Sequence, residues 1–221
     1  MLSSKEIIEK RKELHSDLYK TKNEINDKEN EVKNLFKNDK NEWDKKHKLI
    51  HNDIDELIYK KINLELSLKV WENNLKIASF NEVMPKVLEV LNKYFNKPYG
   101  DKTRQKITKE VESLTGARLY INADSYMVYV NDVNFDCGFR DNKRMLVNNK
   151  IQCVKFNEMC LFYLKDTYIE DVNSYVAELR KMHDKLYKLQ QEFLDEISKY
   201  NDFLVGNIEQ IDRYTTIYKD F

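Results

Sequence analysis

Apolar residues recur three and four apart over two long stretches of the chain, roughly 3–79 and 158–205, and the segment between them has no such repeat. That alternation keeps one side of an α-helix apolar. The pattern predicts a mainly α protein with a small α+β insert: long antiparallel coiled-coil helices flanking a compact head that carries a β-meander. The expected parts are an N-terminal coiled-coil helix over 1–79, a head over 80–156, and a C-terminal coiled-coil helix with a short terminal helix over 157–221.

The first helix has a start signal. Ser3 and Glu6 fit a capping box, with Leu2 and Ile7 at the staple positions. Its seam then runs Ile7, Arg11, Leu14, Leu18, Thr21, Ile25, Lys28, Val32, Leu35. Arg11, Thr21 and Lys28 make this a thin seam, and a thin seam requires a partner to stay helical. Across Lys37–Lys48 only Trp43 is large and apolar, so the register stumbles there. No Gly or Pro forces a turn, and a continuous helix is the expectation; a hairpin at Asn38–Asn41 is the alternative. The repeat resumes at Ile50 and runs on through Leu57, Leu64 and Leu68, and Leu49, Ile58, Ile62 and Leu66 widen its apolar face.

From Ser79 the pattern restarts, and NEVMPKVLEVLNKYFN reads as a shorter helix with Pro85 in its first turn, burying Val83, Val87, Leu88, Leu91 and Phe95. Asp101 reads as the cap of a helix over 102–114 with Ile107, Val111 and Leu114 inward, and Gly116 as its stop. Alternation in ARLYINA, YMVYVN and VNFDCGFR, turning at Asp124-Ser125 and Asn131-Asp132, predicts strands. RMLVNN and KIQCVKF extend the meander to as many as five. Helical period returns from Asn157, and its best run is Val172, Tyr175, Leu179, Met182, Leu186, Leu189, Phe193.

Helix length decides what can pair with what. About 75 residues span roughly 110 Å at 1.5 Å per residue, and about 48 span roughly 70 Å. The later helix therefore cannot cover all of the first, and the expected use of the thin seam (Ile7, Leu14, Leu18, Ile25, Val32, Leu35) is homodimerisation. A folded-back three-helix monomer follows instead if 38–41 turns.

Composition then narrows the class. Four Gly and two Pro in 221 residues, with 34% charged residues, favour long helices. Abundant Asn, Lys, Ile and Tyr have AT-rich codons, which points to a low-GC bacterium or its phages. No apolar run suits a leader or a membrane span. The three cysteines, Cys137, Cys153 and Cys160, form no C-x-x-C pair. A cytoplasmic protein away from membranes is the expectation.

The formal charge is zero, with 38 basic and 38 acidic side chains. It is unevenly spread: 97–155 holds 11 basic and 7 acidic residues, and 156–221 holds 8 and 13. Lys97, Lys102, Arg104, Lys106, Lys109 and Arg118 cluster on or beside one helix, and Arg140, Lys143 and Arg144 follow the strands. This set is a solvated face or an anion-facing surface, to which Tyr99, Tyr120 and Tyr126 could add stacking.

Chemistry-bearing patterns are few. Asp132–Gly138 approaches a calcium loop, but its Gly comes one place late and Lys143 stands where a bidentate Glu is required; a strand fits better. His47 and His51 share a helix face without a third ligand. Glu110 with Asp124 or Asp136 and Asp141-Asn142-Lys143 would suit a metal-dependent nuclease, yet 141–143 reads as a turn. No phosphate loop or nucleophile elbow occurs. The order helix, three strands, helix over 101–175 resembles a double-stranded-RNA-binding domain in outline. That resemblance implies a basic second helix, where VKFNEMCLFYLKD carries Lys155 as its one early cation.

The expectation is a non-enzymatic interaction protein, a homodimer that binds and inhibits another macromolecule, of the kind a phage or mobile element turns on host defence. It assigns no catalytic residue, metal or cofactor and favours a protein partner. Nucleic-acid binding through 102–114 is the alternative, and a nuclease the third reading.

Overall fold

Helix α1 (Ser4–Asn38) begins at the capping box. The Ser3 N–H donates to Glu6 Oε2 at 2.8 Å, and the Glu6 N–H donates to Ser3 Oγ at 3.3 Å. The chain, seen in a computed structural model, is described at residues 1–38, 40–139, 143–154, 159–161 and 167–206. It is mainly α with a small β insert. It divides into two compact units, Met1–Val172 and Asn173–Phe221.

The first correction concerns the N-terminal helix, which is not continuous over 3–79. It ends at Asn38, and α2 (Lys40–Lys93) begins two residues later. Lys28 Nζ lies 3.0 Å from Asp53 Oδ2, and Lys22 Nζ 3.6 Å from Glu65. Residues 25 apart on one straight helix would stand about 37 Å from each other, so the chain reverses and the two helices run antiparallel. Ile7 and Leu18 are buried, and Leu14, Ile25, Val32 and Leu35 partly so. Ile50, Ile54, Leu68 and Leu75 of α2 are buried as well. The thin seam is thus met within one chain, which removes the reason for assigning it to a second copy.

The second correction is that α2 does not stop at Ser79. It runs 54 residues, with Pro85 inside it. A proline in a helix interior costs about 3 kcal/mol. Val83, Met84, Val87, Val90 and Leu91 are all at most 5% exposed, and burying each contributes about 1.5–3 kcal/mol. Burial outweighs the break. Phe95, expected inside, is exposed, as is Leu114.

Helix α3 (Asp101–Thr115) starts one residue early, capped by Gly100, and stops at Gly116. Gly116 has φ 68°, and its N–H donates to the Glu112 carbonyl, as a left-handed cap requires. Ile107 and Val111 face the core. Strands β1 (Arg118–Ile121), β2 (Ser125–Val130) and β3 (Val133–Phe139) form an antiparallel meander. Asn131 and Asp132 both have positive φ, as a two-residue turn of this twist demands. Leu119, Val128 and Phe135 align across the strands and are buried. Arg118, Tyr120 and Tyr129 lie on the outer face. The stretch Asp132–Gly138 is strand and turn, the reading preferred to a calcium loop.

The remaining strands depart from the expected meander. Leu146–Val147 (β4) and Lys150–Ile151 (β5) make a separate hairpin, turning at Asn148 and Asn149, both with positive φ. Met159–Leu161 is a strand, β6, at the edge of β3, within the stretch expected to be helical; Asn157 itself lies outside the described residues. The double-stranded-RNA-binding outline fails at that point, because a strand stands where its second helix would be. Helix α4 (Val172–Gly206) comes later. The expected terminal helix beyond Gly206 lies outside the described residues.

Two asparagines tie this loop-rich region to α2. Asn74 donates to the Ile169 carbonyl at 2.7 Å and accepts the Ile169 N–H at 2.9 Å. Asn92 does the same for Val154, at 2.8 Å both ways. Eighteen residues are five turns of helix, so both amides lie on one face. At the other end, the Ser4 N–H and hydroxyl donate to the two oxygens of Glu82, at 2.8 and 2.6 Å. Asn92→Asp loses a donor and sets a carboxylate against the Val154 carbonyl. It should lower stability by about 1–3 kcal/mol in urea unfolding at neutral pH.

Candidate functional site

The predicted basic set divides into separate groups. Arg104 and Lys109 of α3 meet Arg118 and Tyr120 of β1, and Asn122 just after it, across an open groove of about 590 Å³. Glu112 is the one carboxylate among its lining residues, and Arg104 is also paired with Asp101 at 3.1 Å. Tyr120 is exposed and meets Tyr129 edge-on at 5.5 Å. Three cations beside an exposed aromatic pair make a surface suited to a polyanion with planar groups.

The other cations lie elsewhere. Lys102 and Lys106 are exposed on α3 and do not line the groove. Lys97 stacks over the Tyr94 ring at 4.7 Å. Arg144 pairs with Asp124 at 3.3 Å, beside the β1–β2 turn. Lys143 is exposed, and Arg140 lies outside the described residues. Two of the three tyrosines also fail as stacking partners. Tyr126 is fully buried in the core, and the Tyr99 hydroxyl is buried without a hydrogen-bond partner among the described residues.

Of the carboxylates proposed for a nuclease, Glu110 and Asp124 are each paired with a cation, and Asp136 lies on β3 opposite Met127. Glu110 Oε1 accepts from Lys93 Nζ and Oε2 from the Tyr94 hydroxyl, both at 3.0 Å. The Lys93 bond holds the Glu110 carboxyl below its usual range, and the same bond raises Lys93. Asp124 is in its pair with Arg144, and Asp141 lies outside the described residues. Among the described residues, no three His, Cys, Asp or Glu side chains stand close enough to hold a metal ion. His47 stacks on Trp43 at 4.9 Å and engages its carbonyl. Burial pushes the free thiol of Cys137 up to about 12, a poor nucleophile.

The feature that sequence reasoning underrated is on α4. Tyr175, Met182, Leu186, Leu189 and Phe193 fall three and four apart and are all exposed, Leu186 at 67% and Phe193 at 65%. Ile197 extends this apolar side. The signal was in the heptad pattern; the sequence does not say that the face lies open. Among the described residues no helix is long and apolar enough to cross a membrane. No protein-family model, curated protein or solved structure matches this chain.

Glu110 gives a test of the α2–α3 joint. Its folded pKa lies below its unfolded value, so its contribution is present above the ordinary carboxylate range and lost as pH falls through the folded value. Glu110→Gln should therefore melt below wild type at neutral pH, and the two curves should converge in acid.

Proposed function

We propose that this chain is a non-enzymatic interaction protein that works by helix pairing, with the apolar stripe of α4 as its docking face. One observation carries the reading: Tyr175, Met182, Leu186, Leu189 and Phe193 repeat at heptad spacing and are exposed to water. Large exposed apolar patches mark interaction surfaces, and a heptad stripe is complementary to another helix of the same kind. The homodimer expected from sequence moves with this stripe, from the α1 seam to α4. A cytoplasmic setting belongs to the same proposal and is supported by the free thiols of Cys137 and Cys153.

Replacing Leu186 and Phe193 together by Asp should leave the Met1–Val172 unit folded and abolish helix-mediated association. Light scattering measures self-association, and immobilised protein measures binding to other helices. A double variant that associates as wild type does would sink the proposal.

A second reading draws on the groove between α3 and β1, where Arg104, Lys109 and Arg118 surround Tyr120. That arrangement favours nucleic acid over a neutral partner. Binding of a labelled single-stranded oligonucleotide should weaken steeply with salt. Reversing the three cations to Glu should remove it, while Lys102→Glu with Lys106→Glu, outside the groove, should cost far less. Equal losses in both variants would mean general electrostatic attraction and no groove.

A further inference from the structure

The stripe on α4 carries its own address, written in the charges beside it. With Leu179, Leu186 and Phe193 at heptad position a and Tyr175, Met182 and Leu189 at d, the residues at g are Glu178, Lys185, Glu192 and Lys199. The sign alternates at every heptad. Glu178, Lys185, Glu192 and Lys199 are all exposed.

In an antiparallel pair of helices, each a residue meets a d residue of the other helix, and g flanks g; in a parallel pair, g flanks e. We infer that α4 binds α4 of a second copy of this chain, antiparallel, with Leu186 opposite Leu189 of the second copy; the inference rests on the reading of α4 as a helix-pairing face.

This arrangement centres the overlap between residues 187 and 188. It sets Met182 against Phe193 and places Lys185 beside Glu192 of the second copy and Glu178 beside its Lys199. Twofold symmetry repeats each pair, giving four opposite-charge contacts.

The alternatives are worse. Slipping one heptad in one direction sets Lys185 against Lys185 and Glu178 against Glu192. Slipping in the other sets Glu192 against Glu192 and Lys185 against Lys199. The parallel in-register pair puts Lys185 beside Gln190 and Glu192 beside Ile197, where neither finds a countercharge. Charge complementarity therefore selects one orientation and one register. Glu196, the charged d position, lies opposite Leu179 three layers out from the centre, and Lys199, 2.9 Å from it on its own helix, is shared between Glu196 and Glu178 of the second copy.

The experiment is a charge swap in the full chain, read as the dimer dissociation constant by sedimentation at low salt. Lys185→Glu alone and Glu192→Lys alone each create two like-charge contacts and should weaken the dimer roughly tenfold. The double variant K185E/E192K restores both pairs and should return to within about threefold of wild type. In a parallel dimer the two residues do not meet, so the double variant would be no better than either single one; that result overturns the register while leaving α4 as the pairing face. A wild-type chain that stays monomeric overturns self-pairing, and the Leu186/Phe193 double variant then decides separately whether α4 docks other helices. All these substitutions are at exposed positions, so circular dichroism should show an unchanged helix content.

Discussion

Everything in the Met1–Val172 unit depends on the burial of one side of α2 from Leu75 to Leu91. That stretch packs with Ile7 of α1, Ile107 and Val111 of α3, and Val128 and Phe135 of the sheet in a single apolar cluster. The base of the hairpin and the core of the head are the same core. The polar contacts at its margin follow from it: Ser4 on Glu82, Asn74 on Ile169, and Asn92 on Val154. Each satisfies backbone groups that the packing would otherwise strand away from water.

That shared core also explains what could be read from sequence. Local devices were legible because their physics is local. The capping box at Ser3, the left-handed cap at Gly116, and the turn at Asn131-Asp132 each depend on a few adjacent residues, whereas the turn at Asn148-Asn149 was hidden inside a stretch that reads as strand. The continuity of α2 through Pro85 was not legible. It is decided by the burial of Met84 and Val90 against partners that come later in the chain. The reversal after Asn38 was legible only as the alternative to a continuous helix, for a related reason. No Gly or Pro marks it, and what drives it is the match between a thin seam on α1 and a broad one on α2.

The basic site was legible as composition and less so as geometry. Six cations between Lys97 and Arg118 look like one surface in the sequence. A helix distributes successive residues around its axis, so Arg104 and Lys109 reach the groove while Lys102 and Lys106 do not line it. Arg118 joins them through the first strand, on the outer side of the sheet where alternation also exposes Tyr120. Tyr126, on the second strand opposite Ile121, falls on the inward side, and strand period places it in the core.

The α4 stripe illustrates how affinity and specificity are separated in a helix pair. Burying Leu186, Leu189, Met182 and Phe193 would stabilise any register that keeps apolar layers together, because apolar burial has no direction. Several registers one heptad apart would then be close in free energy. The flanking charges break that tie. Each exposed ion pair contributes only a few tenths of a kcal/mol, and four of them acting together, against like-charge contacts in the slipped registers, separate the proposed state from its neighbours. An alternating Glu–Lys–Glu–Lys row suits an antiparallel, self-complementary helix, because pairing the row with its own reversed copy sets every acid beside a base. A row of one sign would repel itself under the same axis.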